Sequence, residues 1–126
     1  FLLAVFLWHD VLKLWKKNDK DFPHTSLALN KAIYDSFTKQ RKIFPIQKRF
    51  VVTMSEIWRL QPRFNSTSAK KIYRLLNHPR FRASYDFLLL RCQALEISSS
   101  IGSWWTKFIV ANKKNQNLLI INKKIL

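Results

Sequence analysis

The chain has 126 residues and carries 23 Lys and Arg against 7 Asp and Glu, for a formal net charge of +16. Apolar residues make up 48% and aromatics 14%, which excludes a disordered segment, because such segments are poor in aromatics and cannot offset their ordering entropy. One glycine and four prolines argue against a turn-rich sandwich or barrel, and one cysteine excludes a disulfide framework or a Cys-built zinc site. We expect an all-α fold, a compact bundle of about five to six helices with a basic face, in one domain of ordinary size.

The opening run from Phe1 to Trp8 is apolar, but a bilayer span needs about 20 such residues. No positive charge precedes it and no small-residue cleavage site follows, so it does not read as a signal peptide. It continues through Val11, Leu12, Leu14 and Trp15 as a helix entered part-way, apolar all round in its first turns as buried helices are. We therefore expect the C-terminal piece of a longer protein.

A polar break runs from Asn18 to Pro23, after which Thr25 or Ser26 can cap a second helix with Leu29, Ile33 and Phe37 on its apolar face and Pro45 marking its end. Phe50, Met54, Ile57, Trp58 and Gln61 follow helical spacing until Pro62, although Phe50 to Thr53 would also fit a short strand. Asn65 or Ser66 caps a fourth helix carrying Ala69, Ile72, Tyr73, Leu75 and Leu76. The run Asn77-His78-Pro79 breaks it. A fifth helix places Tyr85, Leu88, Leu89, Cys92 and Leu95 on one side, and the serines at 98–100 lead to a last helix around Trp104, Trp105 and Phe108. Residues 1–111 form the expected body and 112–126 a lysine-rich tail, whose Leu118 to Ile121 are either a short packed segment or a frayed end.

The charge is local. Twelve basic residues fall between Lys39 and Arg82, seven of them Arg, opposed by Glu56 alone. Such a field steers a polyanion. A plainer account is a genomic bias toward Lys, Asn and Ile, which explains lysines better than arginines.

Catalytic chemistry is not legible. One glycine cannot build a phosphate loop. His9, His24 and His78 lie far apart with no ligand partner at metal spacing, and His78 before Pro79 reads as a turn residue. Cys92 on an apolar helix face reads as a small hydrophobe, and Asp19 and Asp21 sit beside Lys20 in a solvated loop.

The informative stretch is the basic, aromatic middle. On the third helix Arg59 and Arg63 are four apart and so share a face, while Trp58 points elsewhere. Lys70, Lys71 and Arg74 occupy one flank of the fourth helix, opposite Ile72, Leu75 and Leu76. Arg80 and Arg82 bracket Phe81 at the mouth of the fifth helix, where phosphate is favoured. With Lys48 and Arg49 these residues make a candidate phosphate track for RNA. Trp58 reads as core, while one of the adjacent pair Trp104 and Trp105 must point away from the face of the other. Asp86 pairs with Arg82, four residues back.

Two motifs carry a resemblance: Ile57-Trp58-Arg59-Leu60-Gln61-Pro62-Arg63-Phe64, and His78-Pro79-Arg80-Phe81-Arg82-Ala83-Ser84-Tyr85-Asp86-Phe87-Leu88-Leu89-Leu90-Arg91. Together with Ala69-Lys70-Lys71, Trp104-Trp105 and the apolar opening, residues 1–109 resemble the C-terminal domain of the bacterial poly(A) polymerase family. The family commonly closes on an arginine-rich tail, whereas Asn112 to Leu126 is rich in Lys, Asn and Ile. The resemblance implies a cytoplasmic class II nucleotidyltransferase that adds AMP from ATP to RNA 3′ ends, with ATP and magnesium bound by an N-terminal head that this chain lacks. It implies that this piece is inactive alone and that its partners are single-stranded RNA 3′ ends and the missing head in cis, with no membrane. The expected RNA contacts are Lys48, Arg49, Arg59, Arg63, Lys70, Lys71, Arg74, Arg80 and Arg82, with no catalytic or metal-binding residue. The alternatives are a protein-interaction module docking an acidic partner or the upstream head, and a helix on an anionic membrane surface.

Overall fold

The computed structural model describes residues 2–19, 26–42 and 46–125. Of the two expected caps Thr25 lies outside the described residues, as do Lys20, Asp21, His24 and Pro45, while Ser26 is the first described residue of the second helix. Among the described residues, seven α-helices and one 3-10 turn follow in order: α1 Leu2–Asp19, α2 Ser26–Arg41, α3 Lys48–Leu60, the turn Gln61–Asn65, α4 Ala69–Leu76, α5 Phe81–Gln93, α6 Ser99–Val110 and α7 Lys113–Ile125. The all-α expectation is borne out. The chain divides into two compact units, residues 1–59 and 60–126; the boundary expected at 111 instead falls inside the second unit.

In the first unit, Ala4, Leu7, Trp8 and Val11 of α1 meet Ala28, Leu29, Ala32, Ile33 and Phe37 of α2, with Met54, Ile57 and Trp58 of α3, all buried. The three- and four-residue spacings put each set on one helical stripe. Trp58 is fully buried, as expected, and its indole Nε1 donates to the Ala4 carbonyl at 3.2 Å while its ring lies 5.4 Å from Phe37. That bond spans 54 residues and satisfies a donor that burial would otherwise leave unpaired. Asn18, also buried, donates from Nδ2 to the Ala28 carbonyl at 3.4 Å, tying the end of α1 to α2. The first turns of α1 are one-sided within this unit rather than buried all round, since Phe6 is 80% exposed.

Helix α3 includes Phe50 to Thr53, so the strand alternative falls. Its α register ends at Leu60, and Pro62 sits in the first turn of the 3-10 segment. Proline has no N–H to give to the carbonyl four residues back, so the α ladder of hydrogen bonds stops there.

In the second unit, Phe64, Ile72, Leu75, Phe81, Tyr85, Leu88, Trp105, Phe108 and Ile120 form one core. Phe64 meets Trp105 edge-on at 5.2 Å, and Trp105 Nε1 donates to the Phe64 carbonyl at 3.0 Å. Helix α4 begins after Ser68, not at Asn65 or Ser66. Those two residues instead finish the 3-10 turn, and Ser66 Oγ accepts the Ser68 N–H at 3.3 Å. His78 is the expected turn residue, its Nδ1 accepting the Arg80 N–H at 3.0 Å. Of the two readings of 118–121, the packed one holds: Ile120 is buried at 3% exposure in α7, so 113–125 is a helix of this core rather than a loose tail.

Candidate nucleic-acid interface

Each predicted contact has a definite place, and they fall in both units. In the first, Lys48 and Arg49 open α3 and are exposed, with the Arg49 guanidinium 4.8 Å from the centre of the half-exposed Phe50 ring. Arg59, exposed near the end of α3, donates from Nε to Asn30 Oδ1 on α2 at 2.9 Å. The expectation that Arg59 and Arg63 share one helix face fails. The α register stops between them at Leu60, and they belong to different units.

The second unit gathers the rest. It holds twelve Lys and Arg against two acids, Asp86 and Glu96. Both acids are engaged. Asp86 Oδ1 lies 3.4 Å from Arg82 Nε, the expected pairing across one helical turn, and Glu96 Oε1 accepts from Arg91 Nε at 3.0 Å. Arg91 is nearly buried and also donates from Nη1 to Gln61 Oε1 at 3.2 Å, and Gln61 Nε2 donates to the Ser84 carbonyl at 3.2 Å. The arginine that closes the second motif is thus a structural cation inside a satisfied network.

Lys70, Lys71 and Arg74 are exposed on one flank of α4, with Ile72 and Leu75 buried on the other. No described carboxylate pairs with these three. Lys71 and Arg63 also line an open hollow of about 350 Å³ together with Pro62, Asn65 and Ser66. Every polar side chain in that lining can donate a hydrogen bond and none is acidic, which is the donor set a phosphate group asks for. The first turn of α4 adds no acid, and the Ser68 side chain does not cap it. Arg80 sits at the N-cap position of α5, while Arg82 lies 5.5 Å over the Tyr85 ring beside Asp86.

Asn65 and Ser66 escaped the sequence reading because they looked like helix caps, so their polarity was already accounted for. Lys123 escaped it because it stands in what read as a tail. Its Nζ donates to the Phe64 carbonyl at 3.0 Å and lies 4.2 Å from the centre of the Trp104 ring and 5.3 Å from that of Trp105. Burial lowers its pKa from the ordinary 10.5 to about 8. Trp105 is the buried member of the pair and Trp104 the half-buried one.

Among the described residues no three His, Cys, Asp or Glu side chains gather to hold a metal ion, and no described helix is long and apolar enough to cross a membrane.

Residues 21–124 match the family described as polymerase A arginine-rich C-terminus. The chain is similar to poly(A) polymerase I of Escherichia coli O6:H1, 31% identical over 121 residues that cover 92% of this chain and 26% of that protein. The corresponding enzyme of Salmonella typhi is 29% identical over 115 residues, covering 86% and 24% respectively. That of Haemophilus influenzae is 25% identical over 126 residues, covering 95% and 27%. The chain thus spans about a quarter of the length of the curated relatives it matches.

Proposed function

We propose a function that follows from the family this chain belongs to, the arginine-rich C-terminus of polymerase A: it is the RNA-holding part of a polyadenylating enzyme. It grips single-stranded RNA through phosphate contacts while an N-terminal head in the same protein adds AMP to the 3′ end. The observation that carries this reading is the uncompensated cation set on the second unit. Lys70, Lys71 and Arg74 stand together on α4 with no carboxylate among them, and Arg63 joins Lys71 at a donor-lined hollow. Unpaired, exposed cations repel one another and return that cost when a polyanion settles on them and releases its counterions. The residues of this chain bind and orient RNA. On this reading the adenylyl-transfer step belongs to the head, where carboxylates would hold the metal ions.

The test is binding of a fluorescent oligo(A) 20-mer to the chain across a salt series. Affinity should fall with salt at a log–log slope of about −0.7 for each phosphate neutralised. Changing Lys70, Lys71 and Arg74 together to Ala should weaken binding and flatten that slope by roughly 2. Equal affinity and equal slope in the triple variant would refute the reading.

A second reading applies to the first unit alone. Phe6 on α1 and Leu27 and Tyr34 on α2 are exposed large apolar or aromatic side chains, which suit docking of the upstream head rather than contact with a polyanion.

A further inference from the structure

We propose that α7 is a strap that sets the shape of the Arg63–Lys71 hollow, and that Lys123 is the positioning residue through which it acts. The inference rests on the reading of that hollow as an RNA phosphate site. Arg63 and Asn65 both line the hollow, and Phe64 lies between them in the chain. Where Phe64 sits therefore decides where its two neighbours point.

Phe64 is held at two places. Its ring is fully buried, 5.2 Å from Trp105 and 6.0 Å from Phe81. Its carbonyl accepts two donors, Trp105 Nε1 at 3.0 Å and Lys123 Nζ at 3.0 Å. A carbonyl oxygen has two lone pairs, so these donors saturate it. The ring contacts fix the position of the residue. The two hydrogen bonds fix the plane of the peptide that leads into Asn65, a rotation that ring burial alone leaves free.

Lys123 reaches this carbonyl because α7 is itself pinned. Ile120 is buried in the core, Gln116 Nε2 donates to the Phe108 carbonyl at 2.9 Å, Tyr73 donates from its hydroxyl to Asn117 Oδ1 at 2.9 Å, and Trp104 Nε1 donates to the Leu119 carbonyl at 3.4 Å. Residues 116, 120 and 123 recur at helical spacing and so face the same way. The Lys123 stem crosses the Trp104 face, where the ring stabilises its ammonium. A lysine with its head group bonded to a buried aromatic cluster is not placed to meet a phosphate itself. It acts on RNA through Phe64.

The experiment is a double-variant cycle on the whole chain, read as affinity for the oligo(A) 20-mer and as helicity at the same temperature. Lys123→Met keeps the stem over Trp104 and removes the donor; it should weaken binding by roughly fivefold while helicity is retained. Lys123→Arg, which restores a charged donor, should recover most of that loss. Arg63→Ala alone should weaken binding, and adding Lys123→Met to Arg63→Ala should cost little more, because the hollow is already spoiled. An equal further loss in the Arg63→Ala background would mean that Lys123 contacts RNA independently, and would overturn the proposal. Unchanged affinity in Lys123→Met would do the same. Should Lys123→Met fail to fold, Lys123→Gln takes its place in the cycle. Loss of the fold in both would also overturn it, since Lys123 would then hold the core and not the hollow. If Arg63→Ala and Lys71→Ala leave affinity untouched, the hollow is not an RNA site at all and the functional reading fails first.

Discussion

Leu95 stands just beyond α5 in the left-handed region, at φ 60°, with its side chain 90% exposed. The Glu96 N–H bonds the Arg91 carbonyl at 3.0 Å and the Leu95 N–H bonds the Cys92 carbonyl at 3.1 Å, the two-bond helix ending in which glycine is the usual residue. A leucine there bears the strain of its Cβ and buries nothing in return. Helical spacing had placed it on the apolar face with Leu88 and Cys92, which holds only while the helix continues. Leu95→Gly should raise stability by about 1 kcal/mol, read as the denaturant midpoint at constant m-value. Lys123 gives a second result at this scale. Burial holds its pKa near 8 in the folded chain against the ordinary 10.5. Between those values the unfolded chain binds more protons, so stability rises with pH across that window and is lowest below it. Unfolding followed at pH 7.5 and pH 9.5 should show a gain at the higher pH that Lys123→Met lacks.

Gly102, the single glycine, has its effect on the scale of elements. Composition made its rarity an argument against β structure, which holds, but its own role is the approach of α6 to α5. A Cβ built there would meet Cys92 Sγ at 3.0 Å and Leu89 Cδ2 at 3.1 Å. Gly102→Val should therefore force the two helices apart and cost about 1–3 kcal/mol, measurable by chemical denaturation. The expectation for Cys92 fits the same picture, since its sulfur packs against this glycine as a small side chain. Elements with strong periodicity were legible: α2, α4 and the body of α5 carry their apolar residues where spacing put them. The ends were less so. Asn65, Ser66 and Ser68 are all capping types within four positions, and only the 3-10 turn that follows Leu60 decides that Ser68 stands at the helix start. That turn also separates Arg59 from Arg63, which a continuous helix would have aligned.

For the molecule as a whole, charge is the property that sequence carries best. The acids of the second unit are both engaged by arginines of α5, which leaves the α4 cations without a carboxylate of their own unit. On the proposed function these cations meet phosphate and not bases. Affinity for oligo(A), oligo(U) and a mixed 20-mer should accordingly agree within about threefold at one salt concentration; a preference of a hundredfold for any of them would require base-reading residues that α4 does not supply. Sequence by itself determined that the chain is helical and basic with Trp58 in its core, because apolar periodicity, composition and net charge are properties of local order. It also carried the family, through runs of residues that lie close together in the chain. Only the tertiary structure decided that the chain divides after Arg59, that the supposed tail is a core helix, and that Phe64, Trp105 and Lys123 meet at one carbonyl. The last of these depends on which donors find an acceptor 41 and 59 residues away. No local pattern encodes such a pairing, since it is fixed by the geometry of the packed helices.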